Sequence, residues 1–146
     1  MIQIQNSDLK HKPTALLPRF DLPLNWSKVT LENLVSLLKD GTHNPPARVK
    51  DGIPLLASES IHDGIVDFNK GATYISEQDY KEIHRSFEVK REDLLLTIVG
   101  TLGRVAIVNT DDKFSIQRSV ALIEPMIKYC QCFFTILFRP TISNSN

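Results

Sequence analysis

The chain has 146 residues, 42% of them hydrophobic, with 17 lysines and arginines against 17 aspartates and glutamates. That content suits one domain with a core of its own. The formal charge of zero excludes a basic nucleic-acid arm and, taken as bulk composition, counts weakly against DNA binding. Charge is still uneven: from Thr101 onward stand Arg104, Lys113, Arg118, Lys128 and Arg139 against Asp111, Asp112 and Glu124.

Met1 to Leu24 carries Pro13, Pro18 and Pro23 with little periodicity, and reads as an extended lead-in. Its opening, MIQIQNSDLK, lacks the charged-then-apolar pattern of an export signal, so the cytoplasm is the expected location. Trp26 is expected to anchor the folded domain, which runs over 25–125. Thr30 looks like an N-cap, and Leu31, Leu34, Val35 and Leu38 form one helical stripe, so a helix ending at Gly41 is expected. The following loop, Asp40 to Pro46, is stiffened by Pro45 and Pro46 and presents Thr42, His43 and Asn44.

Gly52 to Ala57 reads as a strand, with Pro54 near its start or on an edge. Ser58–Ile61 and His62–Gly64 read as turns, and Ile65, Val66 and Phe68 as a short extended piece. Thr73–Ile75 leads into Ser76-Glu77-Gln78-Asp79, a capping-box-like start for a helix reaching about Arg85. Asp93 to Val108 is the centre of the chain. Two β-branched-rich runs, Leu94–Val99 and Val105–Val108, flank Gly100-Thr101-Leu102-Gly103-Arg104, which predicts a buried hairpin with Thr101 and Arg104 at its tip.

Thr110 to Lys113 is a polar turn, and Phe114–Gln117 and Ser119–Ile123 are strands on either side of Arg118. After a break at Pro125, residues 126–146 hold an apolar segment of undecided type and a loose tail. Cys130 and Cys132 lie within it and are too few for a disulfide framework or a zinc site. The apolar stretch Cys130–Phe138 is far below the roughly 20 residues that span a bilayer, so no membrane partner is expected. Short strands outnumber helices. The expected fold class is α+β, a twisted, mostly antiparallel β-sheet with a few short helices.

No catalytic constellation emerges. His11, His43, His62 and His84 form no metal motif, Ser119 lacks a nucleophile elbow, and Gly100–Arg104 lacks phosphate-loop spacing. Asp111-Asp112 is a carboxylate pair a metal-dependent nuclease could use, and no further ligands at useful spacing accompany it. What remains is three groups of polar loop residues: Thr42, His43, Asn44, Arg48 and Lys50; Thr101 and Arg104; and Lys113, Gln117, Arg118 and Ser119. Arg reads guanine bidentately, Asn and Gln read adenine, and Lys and Ser meet phosphates. The alternative for each is an ordinary solvated loop residue, and Arg118 has the further option of pairing with Asp111 or Asp112.

The same residues carry a resemblance. The ordered series Trp26, Asp40–Pro46, Gly52–Leu56, Ile61–Asp67, Tyr74–Tyr80, Asp93–Thr97 with Val99–Arg104, and Arg118–Ile123 resembles one target recognition domain of the specificity subunit of type I restriction–modification systems. No single piece is diagnostic; the ordered set carries the likeness. It implies a non-catalytic module that reads one half of a split double-stranded DNA site. Its partners would be methyltransferase subunits and a restriction subunit. S-adenosylmethionine, ATP and Mg would belong to those partners, leaving this chain without a cofactor. The chain departs from the family pattern in having one such domain, with no heptad-bearing helix after it. A truncated half-subunit, completed by a second half-subunit, is one expectation. A remnant acting only through protein interaction, by way of Tyr129–Phe138, is the other.

Overall fold

Short apolar runs bounded by Gly, Pro, Asn and Asp recur from Val35 to Pro125, and short strands follow from that pattern. The structure, a computed structural model, describes Leu24 and residues 30–126. The lead-in, Trp26, Cys130, Cys132 and the apolar segment after Met126 lie outside the described residues. In chain order the strands are β1 (Val35–Asp40), β2 (Ile53–Leu56), β3 (Ile61–His62), β4 (Ile65–Val66) and β5 (Thr73–Ile75). Helix α1 (Glu77–Ile83) follows, then β6 (Leu94–Thr97), β7 (Val105–Ile107), β8 (Ser115–Ile116) and β9 (Val120–Pro125).

The larger sheet is antiparallel with the order β1-β9-β6-β7. A smaller sheet, β5-β2-β8, pairs β2 antiparallel with β5 and parallel with β8. A two-stranded ribbon, β3-β4, turns through Asp63 and Gly64, both at positive φ (52° and 82°), which is the type I′ geometry that suits an Asp-Gly pair. The fold class is α+β and mostly antiparallel.

β6 lies between β9 and β7 and is buried on both faces. Leu95 packs with Ala106, Leu122, Leu56 and Phe114 in the main core, while Leu94 packs with Val35, Val105 and Ile123 on the opposite face. A run of consecutive leucines is what a strand covered on two sides requires. α1 is capped as its sequence predicts: Ser76 accepts the Asp79 N–H at 3.1 Å, and Tyr80 is buried with Leu55 and Ile75.

Three expectations are corrected. The helix expected from Thr30 to Leu38 is a single 3₁₀ turn, Leu31–Asn33, followed by β1. Thr30 does not cap it through its side chain: Asn33 N donates to the Thr30 carbonyl at 3.1 Å, and the Thr30 hydroxyl accepts instead from the Asn33 side-chain Nδ2 at 2.7 Å. Val35 and Leu37 fit a strand as well as Leu34, Val35 and Leu38 fit a helix, and the open edge of β9 decides between them. Pairing from Val35–Pro125 to Asp40–Ala121 satisfies backbone groups that a helix would leave bare, at the cost of leaving Leu38 54% exposed. Gly41 therefore ends no helix; a Cβ there would sit 2.3 Å from the Gln117 carbonyl oxygen, so its role is close backbone approach. The strand expected to stop at Ile123 runs two residues further, and Pro125 is the last residue of β9.

Asp93, at the head of β6, is 4% exposed. It accepts the Lys90 N–H at 2.7 Å. Burial, opposed by that bond and helped by the charge of Glu124, raises its pKa from 3.8 to about 6. Across that interval the folded chain keeps a proton that the unfolded chain has released. The associated stability is therefore whole below 3.8 and is lost as pH rises through about 6. Asp93→Asn keeps an oxygen acceptor and removes the charge. Its thermal midpoint should exceed the parent's by roughly 4 °C at about pH 7.5 and match it at about pH 3. Melting curves at the two pH values check this; a deficit at both would contradict it.

Candidate nucleic-acid interface

Loops from four parts of the chain meet at one end of the two larger sheets, and backbone hydrogen bonds hold them there. Gly41 and Thr42, just past β1, donate to the carbonyls of Val120 (3.0 Å) and Ile116 (2.9 Å). Arg118 N donates back to Thr42 O at 3.1 Å, and Gln117 N donates to Leu56 O at 2.9 Å. The Ser119 carbonyl accepts from Ile98 N at 2.9 Å and Val99 N at 3.4 Å, while its hydroxyl accepts from Ser58 N at 3.2 Å. The segment Gln117–Ser119 thus crosses from the small sheet to the large one and ties both to the hairpin tip.

The tip is held by one buried hydroxyl. Thr97 Oγ1 donates to the Thr101 carbonyl and accepts the Arg104 N–H at 2.9 Å. Its backbone adds two bonds, Gly103 N to Thr97 O at 3.0 Å and Thr97 N to Arg104 O at 2.9 Å. Gly100 and Gly103 take φ of 83° and 81°, which lets a short loop close without strain.

The expected residues divide into those this end gathers and those it does not. Thr42, His43, Asn44, Thr101, Arg104, Gln117, Arg118 and Ser119 are brought together. Thr42 turns its hydroxyl to the Asn44 carbonyl (3.2 Å), and His43 lies 3.6 Å from Asp40. Ser119 spends its hydroxyl on Ser58. Arg104 and Arg118 make no side-chain hydrogen bond or ion pair among the described residues. The option of Arg118 pairing with Asp111 is closed, because Asp111 is held by Arg91 at 2.7 Å. That guanidinium holds the Asp111 carboxyl below the usual carboxylate range.

Arg48 and Lys50 lie along the outer edge of β5, where Val49 N donates to Tyr74 O at 3.0 Å, so β5 and β2 stand between them and β8. Arg48 itself reaches the Pro46 carbonyl at 3.3 Å. Lys113 stands before β8, at the opposite end of that strand from Gln117, with its ammonium 3.5 Å from Glu77.

Thr97 was not singled out by residue type, although its position carries a signal. It is the one hydroxyl in the apolar run Leu94–Val99, directly before a glycine turn, and such a group buried in a strand needs partners nearby. An open groove of about 490 Å³ beside Thr42 and His43 was also unread; Leu38, Lys39, Ile83 and Phe87 line it. Among the described residues no three His, Cys, Asp or Glu side chains are placed to hold a metal. His62 is occupied by Asp67 at 3.0 Å and Asp63 at 3.2 Å, and His84 stacks on Tyr80 with ring centroids 4.1 Å apart. No described helix is long and apolar enough to cross a membrane.

Comparison with known proteins gives two likenesses. The chain is 36% identical over 110 residues to the Type I restriction enzyme EcoBI specificity subunit of Escherichia coli, a match covering 73% of this chain and 23% of that protein. The chain therefore spans about a quarter of the length of that relative. The crystal structure of the HsdS subunit from Thermoanaerobacter tengcongensis shares the fold, with a TM-score of 0.57, 16% identity, and coverage of 90% of this chain and 31% of that one. No family model matches the chain.

Thr97→Val keeps shape and removes the hydroxyl, leaving the Thr101 carbonyl and the Arg104 N–H without their partner. A loss of about 1–3 kcal/mol in urea unfolding is expected. Hydrogen exchange should accelerate across 100–104, and Thr97→Ser should retain most of the protection.

Proposed function

The chain carries a domain of the type I restriction specificity-subunit family, and on that premise we propose that it is a DNA-reading module that directs partner subunits to one half of a split site. It is not itself an enzyme. Methyltransferase subunits and a restriction subunit perform the reactions, in the cytoplasm, with S-adenosylmethionine, ATP and Mg bound by those partners.

One observation carries this reading. Loops distant in sequence converge on one end of the sheets, and two guanidinium groups there, Arg104 and Arg118, are left without an acidic partner among the described residues. Asn44 and Gln117 supply side-chain amides beside them, and the Thr42 hydroxyl, which donates to the Asn44 carbonyl, keeps acceptor capacity. Direct base readout is favoured by this pairing of a stiff frame with uncommitted donors, because a donor already engaged within the protein must give up that bond to reach a base edge. Arg48 and Lys50, set off along β5, serve phosphate contacts at the flank, where position matters less than charge.

The test measures affinity of the full chain, with its methyltransferase subunit, for duplexes recovered by selection from a random-sequence pool. Binding should weaken steeply as salt rises. Arg118→Ala should weaken binding about 5- to 150-fold, the equivalent of a lost 1–3 kcal/mol base contact. Lys113→Ala should change it by about twofold or less, because its ammonium is paired with Glu77 at the far end of β8. Absence of any salt-sensitive binding would reject the function.

A further inference from the structure

Leu102 is 70% exposed and Val99 48% exposed, both on the hairpin tip. Scattered surface leucines are ordinary. This one differs in how it is held and in what surrounds it. The loop on either side is pinned at Thr101, Gly103 and Arg104 by Thr97, and at Ile98 and Val99 by the Ser119 carbonyl. The leucine is therefore presented at a fixed place, with little ordering left to pay for on contact. Arg104 follows two residues later in the same loop. Arg118 adjoins Ser119, whose carbonyl holds the base of the tip.

An apolar side chain on a loop that carries one cation and is tied at its base beside a second fits a ligand that is anionic at its rim and apolar at one point inside. A DNA major groove has that character: phosphates line its edges, and the C5-methyl group of thymine is the apolar feature on its floor. We propose that Leu102 is a specificity-determining residue that reads a thymine methyl group in the major groove, with Arg104 of the same loop and Arg118 beside the loop's base meeting the phosphates. This rests on the proposed DNA-reading function and names one base that the domain distinguishes. The base of the tip is tied to the Ser119 carbonyl through Ile98 and Val99, which restrains the loop against the movement that insertion between base pairs would need.

The experiment uses the full chain with its methyltransferase subunit. Duplexes recovered by selection with the parent protein are resynthesised with uracil replacing thymine one position at a time, which deletes only the methyl group. For the parent, uracil at one position should lower affinity about fourfold, the worth of one buried carbon. For Leu102→Ala the same replacement should have no effect, while selection should return the parent motif relaxed at that position alone. An unchanged thermal midpoint for Leu102→Ala excludes a folding defect. If the variant keeps the full uracil penalty, or if the parent is indifferent to uracil everywhere, the Leu102 assignment is overturned while DNA reading stands. Uracil indifference with a rise in 2-aminopurine fluorescence on binding would likewise overturn it, in favour of a wedge. If the parent enriches no motif, the DNA-reading function fails and takes this assignment with it.

Discussion

β6 is the constraint from which the rest of the structure follows. A strand whose side chains Leu94 and Leu95 are both fully buried needs apolar cover on two faces and a paired strand on each edge. β9 and β7 supply the edges. The small sheet, with Leu56, Phe114 and Ile116, covers one face. Once β9 is committed to β6, its other edge must be satisfied as well, and β1 takes that place. The order β1-β9-β6-β7 is thus a chain of obligations that starts from one doubly buried strand.

The same strand sets the position of the candidate interface. β6 ends at Thr97, where the apolar run gives way to a hydroxyl, and that hydroxyl organises the loop beyond it. On the neighbouring strand, β9 begins just after Arg118 and Ser119. β1 ends just before Gly41 and Thr42. Adjacent strands in register deliver their connecting loops to one level, and backbone hydrogen bonds then fix them. Positions are set by main-chain groups, which every residue carries, so the side chains there are free to differ in chemistry without moving the loops.

Electrostatics follows the same division. The chain is neutral overall, yet among the described residues the ion pairs other than His43–Asp40 are placed away from the interface. Arg91 holds Asp111, Lys113 and Lys81 share Glu77, and His62 sits between Asp63 and Asp67. These exposed pairs contribute little to stability each. Their consequence is to absorb acidic groups elsewhere, so that Arg104 and Arg118 keep their charge uncompensated by any described neighbour. A zero total therefore says little about the field at one end of the molecule.

What could be read from the amino-acid order was whatever depends on neighbours along the chain. The hairpin around Gly100–Gly103, the Ser76 cap of α1, the strand at Gly52–Ala57 and the mostly antiparallel α+β class all follow from local periodicity and turn chemistry, and all are present. So was the set of polar loop residues, as residue types. What order could not supply was contact between distant segments. Val35–Asp40 suits a helix as well as a strand until β9 offers an unpaired edge more than eighty residues later. Gly41 reads as a helix terminator until the Ile116 and Gln117 carbonyls are found pressed against it. Lys113 and Arg118 look equivalent in sequence, but only the fold pairs one with Glu77 and leaves the other without an acidic partner among the described residues. Local propensities differ by only about 1 kcal/mol, whereas a strand joining a sheet gains several hydrogen bonds and apolar contacts at once, so tertiary pairing decides wherever the local preference is divided.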